Sequence, residues 1–291
     1  MQENRGGFIN KKMVTLGSTH NTTPTQFIEV KGAKISYRTF GRSIGVPLVF
    51  FQHFTGNMDN WDPAITDQIG IFHRVIIFNG LGVSSSSGQT RDNIKTMAED
   101  AIAFIKALGF EKVDVIGFSL GGFVVQQILI DSPSLVRKVV LISTGPKGGR
   151  GIDLVRSYIE DATDLEGNEL FLRIFFTKTK ASRDAGRRAL KRLSERRDRD
   201  SPLDVETTFN QTKAFEDWGM MKADDSYLEN VLQPVLVVCG SNDEVIHPIN
   251  SFIMSQRMPN AQLCIYSDSG HGAVYQHDEL FVHQVLYFLN S

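Results

Sequence analysis

Apolar residues fall along this chain in short blocks separated by longer stretches with helical spacing. The blocks are Leu48–Phe51, Val75–Phe78, Val113–Ile116, Val139–Ile142, Val235–Val238 and Gln262–Tyr266. Several are apolar almost throughout, the pattern of strands covered on both faces in a parallel sheet. Before them, Phe27–Val30 and Lys34–Thr39 flank Lys31-Gly32-Ala33 and predict an opening hairpin. Between blocks, Ile94, Met97, Ala101, Ile105 and Leu108 share one face of a helix over Asp92–Leu108, with Asp92 as N-cap and Gly109 as the stop. Leu120–Asp131 and Glu279–Asn290 are two more helices. Strands alternating with helices predict an α/β fold: a doubly wound, mostly parallel, eight-stranded sheet with helices on both faces.

The rhythm stops at the glycine-rich segment Gly145-Pro146-Lys147-Gly148-Gly149-Arg150-Gly151 and resumes at Pro234. Between them there is helical patterning and charge but no strand pattern. An insertion that leaves a sheet and returns to it reads as a helical lid. The expected organisation is therefore a loose leader over 1–24, a core over 25–144 and 234–291, and a lid over 145–233.

The most informative segment is Val113-Asp114-Val115-Ile116-Gly117-Phe118-Ser119-Leu120-Gly121-Gly122-Phe123, an apolar strand, then G-x-S-x-G, then a helix. A serine on so tight a strand-to-helix turn sits in a strained conformation, and a Cβ at position 117 or 121 would collide with the neighbouring element. The helix N-terminus that follows offers a positive dipole and free N–H groups.

At these residues the chain resembles the α/β-hydrolase superfamily, and more narrowly its lidded esterase, lactonase and haloperoxidase-like branch, over roughly Phe27 to Ser291. The resemblance implies Ser119 as nucleophile and partners in the order serine, acid, histidine. Of the seven histidines, His271 lies in the glycine-flanked loop Ser269-Gly270-His271-Gly272 directly after Gln262–Tyr266. His277 and His283 fall at the start of and within the last helix. The acid should follow Val235–Cys239, where Asp243 matches the family position and Glu244 is the adjacent alternative. An oxyanion hole needs two N–H donors: Leu120, and one from the loop Gln52-His53-Phe54-Thr55-Gly56-Asn57. Relatives usually carry His-Gly before that donor. Here Gln52-His53 stands in its place, which makes Phe54 the donor and leaves His53 to touch substrate or lid, or to pack structurally.

The implied activity is hydrolysis of an ester or lactone of a small, mostly apolar molecule through an acyl-enzyme on Ser119, with no metal and no cofactor. Perhydrolysis or C–C hydrolysis at the same three residues, or a hydrolase-fold receptor with little turnover, are the alternatives. Trp61 and Trp218, with Phe171, Phe175 and Phe176, are candidate pocket aromatics.

Composition adds limits rather than direction. The 291 residues carry a net charge of −2 and 22% charged residues, which points to neither nucleic acid nor a membrane as partner. No run approaches the ~18 apolar residues of a membrane span. A small-molecule substrate, a cytoplasmic location and a monomer or homodimer are expected. Cys239 and Cys264 sit in apolar runs and read as small core residues. Asn79–Ser87 is rich in glycine and serine but lacks the lysine of a phosphate loop. The one local imbalance is Lys178–Arg199, with ten basic and three acidic residues, either a solvated helix face or a rim that attracts an anionic substrate.

Overall fold

A computed structural model describes residues 17–160, 165–222 and 225–291. The strands are β1 (Gln26–Val30), β2 (Ala33–Gly41), β3 (Leu48–Phe51), β4 (Arg74–Phe78), β5 (Val113–Phe118), β6 (Val136–Ile142), β7 (Val235–Gly240) and β8 (Ala261–Tyr266). The helices are α1 (Pro63–Gly70), α2 (Ile94–Ala107), α3 (Leu120–Asp131), α4 (Val155–Glu160), α5 (Gly167–Phe175), α6 (Lys180–Leu193), α7 (Val205–Met220), α8 (Pro248–Arg257), α9 (Ala273–Gln276) and α10 (Asp278–Asn290).

The sheet runs β1-β2-β4-β3-β5-β6-β7-β8. The pairs β1–β2 and β2–β4 are antiparallel and the other five are parallel. Every apolar block is a strand, and the period of two shows why the central ones are apolar on both faces, buried Asp114 on β5 being paired with Arg137 on β6. Val49 and Phe51 face the layer that holds α2 and α3, whereas Leu48 and Phe50 face the layer that holds α1 and α10. Crossover helices on both sides leave no wet face on these central strands. No helix among the described residues is long and apolar enough to cross a membrane.

Helix α2 begins one residue later than its sequence suggests. Asn93, not Asp92, is the N-cap, its side chain accepting the Thr96 N–H at 2.9 Å, while Asp92 Oδ2 lies 3.4 Å from Lys213 Nζ.

Between β6 and β7 the chain forms α4 to α7 and, among the described residues, no strand. The glycine segment at its start is a packed corner. A Cβ on Gly145 would lie 2.7 Å from the Ile152 side chain, and buried Asn250 bonds both backbone groups of Arg150. At the far end Trp218 stacks on Phe123 of α3, centroids 5.3 Å apart, and its indole N–H donates to Gly145 O.

The middle of this insertion is fastened to the core by a buried ionic network. Arg38 on β2 donates to Asp59 Oδ1 at 2.5 Å and lies 3.5 Å from Asp200 Oδ2. Asp59 Oδ2 accepts the Asp200 N–H, and the Asp200 carboxylate accepts from Ser85 Oγ and Asn79 Nδ2. Arg196 is 3.7 Å from Asp59 and donates to the carbonyls of His20 and Thr23, both at 2.9 Å. Arg192 makes a two-pronged bond to buried Asp62 and lies 2.9 Å from Asp278.

Two sequence expectations change here. The leader was expected to be loose up to Pro24. Residues 1–16 lie outside the described residues, but 17–24 is docked, because Arg196 binds two of its carbonyls and buried His20 reaches Asp67 and Thr66. The basic stretch was expected either to be solvated or to form an attracting rim. Arg192 and Arg196 do neither, since both are committed to carboxylates of the core or carbonyls of the leader.

Removing a buried ionic partner leaves its mates uncompensated. Arg196→Met is expected to lower the unfolding free energy by about 3 kcal/mol, measured by urea titration. A loss smaller than that of an ordinary surface substitution would show that the network is not holding the insertion down.

Candidate active site

The chain turns from β5 into α3 at Ser119, whose φ and ψ are 53° and −117°. A side-chain-bearing residue pays for such a backbone conformation with strain of order 1–3 kcal/mol, and persists there only when its surroundings fix it. They do so on three sides. The Ser119 N–H donates to Ile142 O, Thr144 Oγ1 donates to Ser119 O, and the turn is too tight for side chains nearby. A Cβ on Gly117 would lie 2.7 Å from Gly121 O, one on Gly121 2.2 Å from Phe51 O, and one on Gly122 2.5 Å from Thr144 Oγ1. The G-x-S-x-G spacing, with its extra glycine, is thus a steric requirement of the turn. Ser119 itself is 1% exposed.

The loops after β7 and β8 meet beside the preceding residue, the Phe118 ring lying 5.3 Å from that of His271. Asp243 Oδ1 accepts the Val245 and Ile246 N–H groups at 2.9 and 3.0 Å, which orients the carboxylate. Its Oδ2 lies 2.8 Å from His271 Nδ1. Asp243 and His271 are both buried. With Nδ1 turned to a carboxylate, the imidazole proton sits there and Nε2 keeps its lone pair. Glu244, the alternative acid, points elsewhere and pairs with Arg173 at 2.8 Å. Ser119 Oγ and His271 make no hydrogen bond with each other among the described residues.

The glycines flanking His271 answer to the helical insertion. A Cβ on Gly272 would lie 2.7 Å from Phe175 Cβ, and the Gly272 N–H donates to Phe175 O at 2.8 Å. The Phe175 ring lies 5.7 Å from that of His271 and 5.0 Å from that of His53, so the last residue of α5 covers both histidines.

The turn after β3 carries Phe54. Neither the Phe54 nor the Leu120 N–H has a protein acceptor among the described residues. His53 is buried against Phe118 and Phe175, with Nδ1 2.8 Å from Phe54 O. A carbonyl can only accept, so Nδ1 bears the proton. Burial chiefly, with His271 nearby, lowers the His53 pKa to about 4. A cavity of about 90 Å³ opens beside these residues, walled by Phe51, Phe78, Leu81, Met97 and Val124 and reached by His53, Leu120 and Gln211.

The pocket aromatics are corrected by the structure. Trp61 packs on Phe50 and Phe118 beneath the nucleophile turn, and Trp218 lies in the contact with α3. Both are fully buried and neither lines the cavity. Large flat side chains with a single polar atom serve core packing well, and position in sequence does not separate that use from ligand contact. The residue missed was Gln211, a buried amide on α7 that reaches the Thr55 N–H. Its one visible signal is a polar side chain on the same helix face as Ala214, Phe215 and Trp218.

The α/β-hydrolase-fold family model matches residues 46–278. The chain belongs to the α/β-hydrolase fold family. An α/β-hydrolase fold protein from Chitinophaga pinensis is 42% identical, with a TM-score of 0.92 over 94% of this chain and all of that one. A 2-hydroxy-6-oxononadienedioate/2-hydroxy-6-oxononatrienedioate hydrolase of Dechloromonas aromatica (strain RCB) is 25% identical over 84% of this chain and 87% of its own. An enol-lactonase from Burkholderia xenovorans LB400 shares the fold, with a TM-score of 0.73 and 18% identity over 91% of this chain and 100% of that one.

This hydrolase-fold protein holds a neutral histidine against its nucleophile turn, which ties stability to pH. In the unfolded chain a histidine titrates near 6.5. With the folded value at about 4, the unfolded state binds more protons between these limits, so stability is full above pH 6.5 and declines as pH falls toward 4. His20, lowered to about 3 by burial, acts in the same direction. Between pH 6.5 and 5, wild type is expected to lose about 1–2 kcal/mol more than His53→Gln, by urea denaturation at each pH. Parallel declines would mean that His53 is not buried in its neutral form.

Proposed function

We propose that this protein hydrolyses an ester or lactone of a small, mostly apolar molecule through an acyl-enzyme on Ser119. One observation carries the reading: a serine held at φ 53° on a strand-to-helix turn, beside an Asp243–His271 pair whose free nitrogen is a base. In the proposed reaction Ser119 Oγ adds to the carbonyl carbon while His271 Nε2 takes its proton. Asp243 stabilises the resulting imidazolium. The carbonyl electron pair moves onto oxygen, where the Leu120 and Phe54 N–H groups receive it. Collapse expels the alcohol, protonated by His271. A water molecule activated by the same nitrogen then releases the acid and frees Ser119. Every step uses protein groups and water.

The apolar wall of the cavity supports a mostly apolar substrate, and the cover supplied by Phe175 supports a lid over 145–233 that excludes water during reaction. C–C hydrolysis is the second reading. It is favoured by the likeness to a hydrolase whose name specifies an oxo-dienedioate rather than an ester. The same three residues and the same two N–H groups would serve it.

Ser119→Ala is expected to lower kcat on chromogenic short-chain esters by about 10⁴-fold or more while leaving the fold intact, and adding His271→Ala should cost little further because the residues act as a unit. Near wild-type turnover in Ser119→Ala would refute the mechanism. If Asp243→Ala stayed active while Glu244→Ala did not, the acid would be reassigned. Phe54→Pro removes the second donor and should raise the barrier by roughly 3 kcal/mol. A proline variant that folds and keeps its rate would remove Phe54 from the oxyanion hole.

A further inference from the structure

The peptide joining Phe54 to Thr55 is held from both sides. Its carbonyl accepts from His53 Nδ1 at 2.8 Å and from Thr55 Oγ1 at 2.7 Å. Its N–H donates to Gln211 Oε1 at 2.7 Å, and Gln211 is a buried residue of α7, 156 positions away in the chain. Thr55 has φ 56°, a left-handed conformation that is a marked outlier for a β-branched residue. A strained turn of this kind keeps its shape only while its partners hold it. Helix α7 touches the same turn a second time: the Phe54 ring meets Phe215, one helical turn beyond Gln211 on the same face, at 6.2 Å between centroids. The turn is thus shaped jointly by its own residues and by the insertion.

We propose that Gln211 is a positioning residue through which the seating of α7 sets the oxyanion turn, so that the Phe54 N–H is aimed at the reacting carbonyl only while the helical insertion is closed. When α7 lifts, the Thr55 N–H loses its acceptor and Thr55 can leave the left-handed region. The peptide rotates, and the rotation at Phe54 carries the donor off its line. Closure over substrate and completion of the oxyanion hole then become one event. A helix that contributes no reacting group still controls the rate. This inference rests on the acyl-transfer reading above, in which Phe54 is a donor.

The test uses the full-length protein with Gln211→Leu, and with Gln211→Met should the leucine variant fail to fold, because both keep the bulk and remove the acceptor. Gln211→Glu keeps an acceptor oxygen at the same reach. Three quantities are measured: kcat and KM on a chromogenic ester, the affinity for an aryl trifluoromethyl ketone, and the affinity for the alcohol product. The ketone reports on the hole directly. Ser119 Oγ adds to its carbonyl carbon, the serine proton passes to His271, and the electron pair on oxygen must be held as in the reaction. In the leucine variant kcat should fall about ten- to a hundredfold with KM changed less than the rate. Ketone affinity should fall by the factor lost from kcat/KM, product affinity should stay close to wild type, and the glutamate variant should recover most of the loss. An unchanged kcat, a loss confined to KM, an equal loss for ketone and product, or no recovery with glutamate would each overturn the proposal. Ser119→Ala separates the two ideas. If it is inactive while the Gln211 variants match wild type, only the positioning role falls; if it remains active, the acyl-transfer reading falls with it.

Discussion

The backbone of Ser119 is the constraint on which the site depends. A residue at φ 53° between a buried strand and a buried helix must be held there, and what holds it dictates much of the surrounding sequence. Gly117, Gly121 and Gly122 let β5, α3, the end of β3 and Thr144 approach more closely than a Cβ permits. The Ser119 N–H and carbonyl are both tied to the β6 side of the sheet. Because the helix starts immediately after the serine, the Leu120 N–H has no intrahelical acceptor. Strain, close packing and an unpaired N–H follow from one turn.

The same logic extends outward to the helical insertion. Its position over the site is fixed by three different kinds of contact. Trp218 stacks on α3, which itself begins at the nucleophile. Arg192 and Arg196 spend their charges on buried carboxylates and on carbonyls of the leader. Phe175 closes over His53 and His271, and its carbonyl receives the Gly272 N–H of the histidine loop. The ionic contacts reach the cavity wall at Asn79, which binds Asp200, and the insertion's own lining residue there is Gln211.

Much of this architecture is legible in the sequence because it is local or periodic. The six apolar blocks and the opening hairpin are strands, the blocks of the central strands being apolar because both faces are covered and the hairpin showing in its turn residues. The nucleophile turn is legible because sterics leave no alternative to glycine at fixed offsets. What was not legible depends on partners far away in the chain. Nothing local tells that His20 would be buried by carbonyl contacts to Arg196, nor that Gln211 would reach Thr55. Trp61 and Trp218 were misplaced because an aromatic side chain fits a core and a pocket equally well in sequence terms. The N-cap of α2 moved from Asp92 to Asn93 because two adjacent residues both carry a suitable oxygen, and helix boundaries are decided by backbone geometry rather than by residue type.

The central claim, that Ser119 is the group that becomes acylated, is tested most directly by catching the bond. The protein is mixed with an activated short-chain ester, quenched in acid within the first turnover, and examined by intact-mass and peptide mass spectrometry. The account predicts one added acyl group, located on the peptide containing Ser119 and absent from Ser119→Ala. An acyl group on another residue, or rapid turnover that passes through no adduct at Ser119, would contradict it.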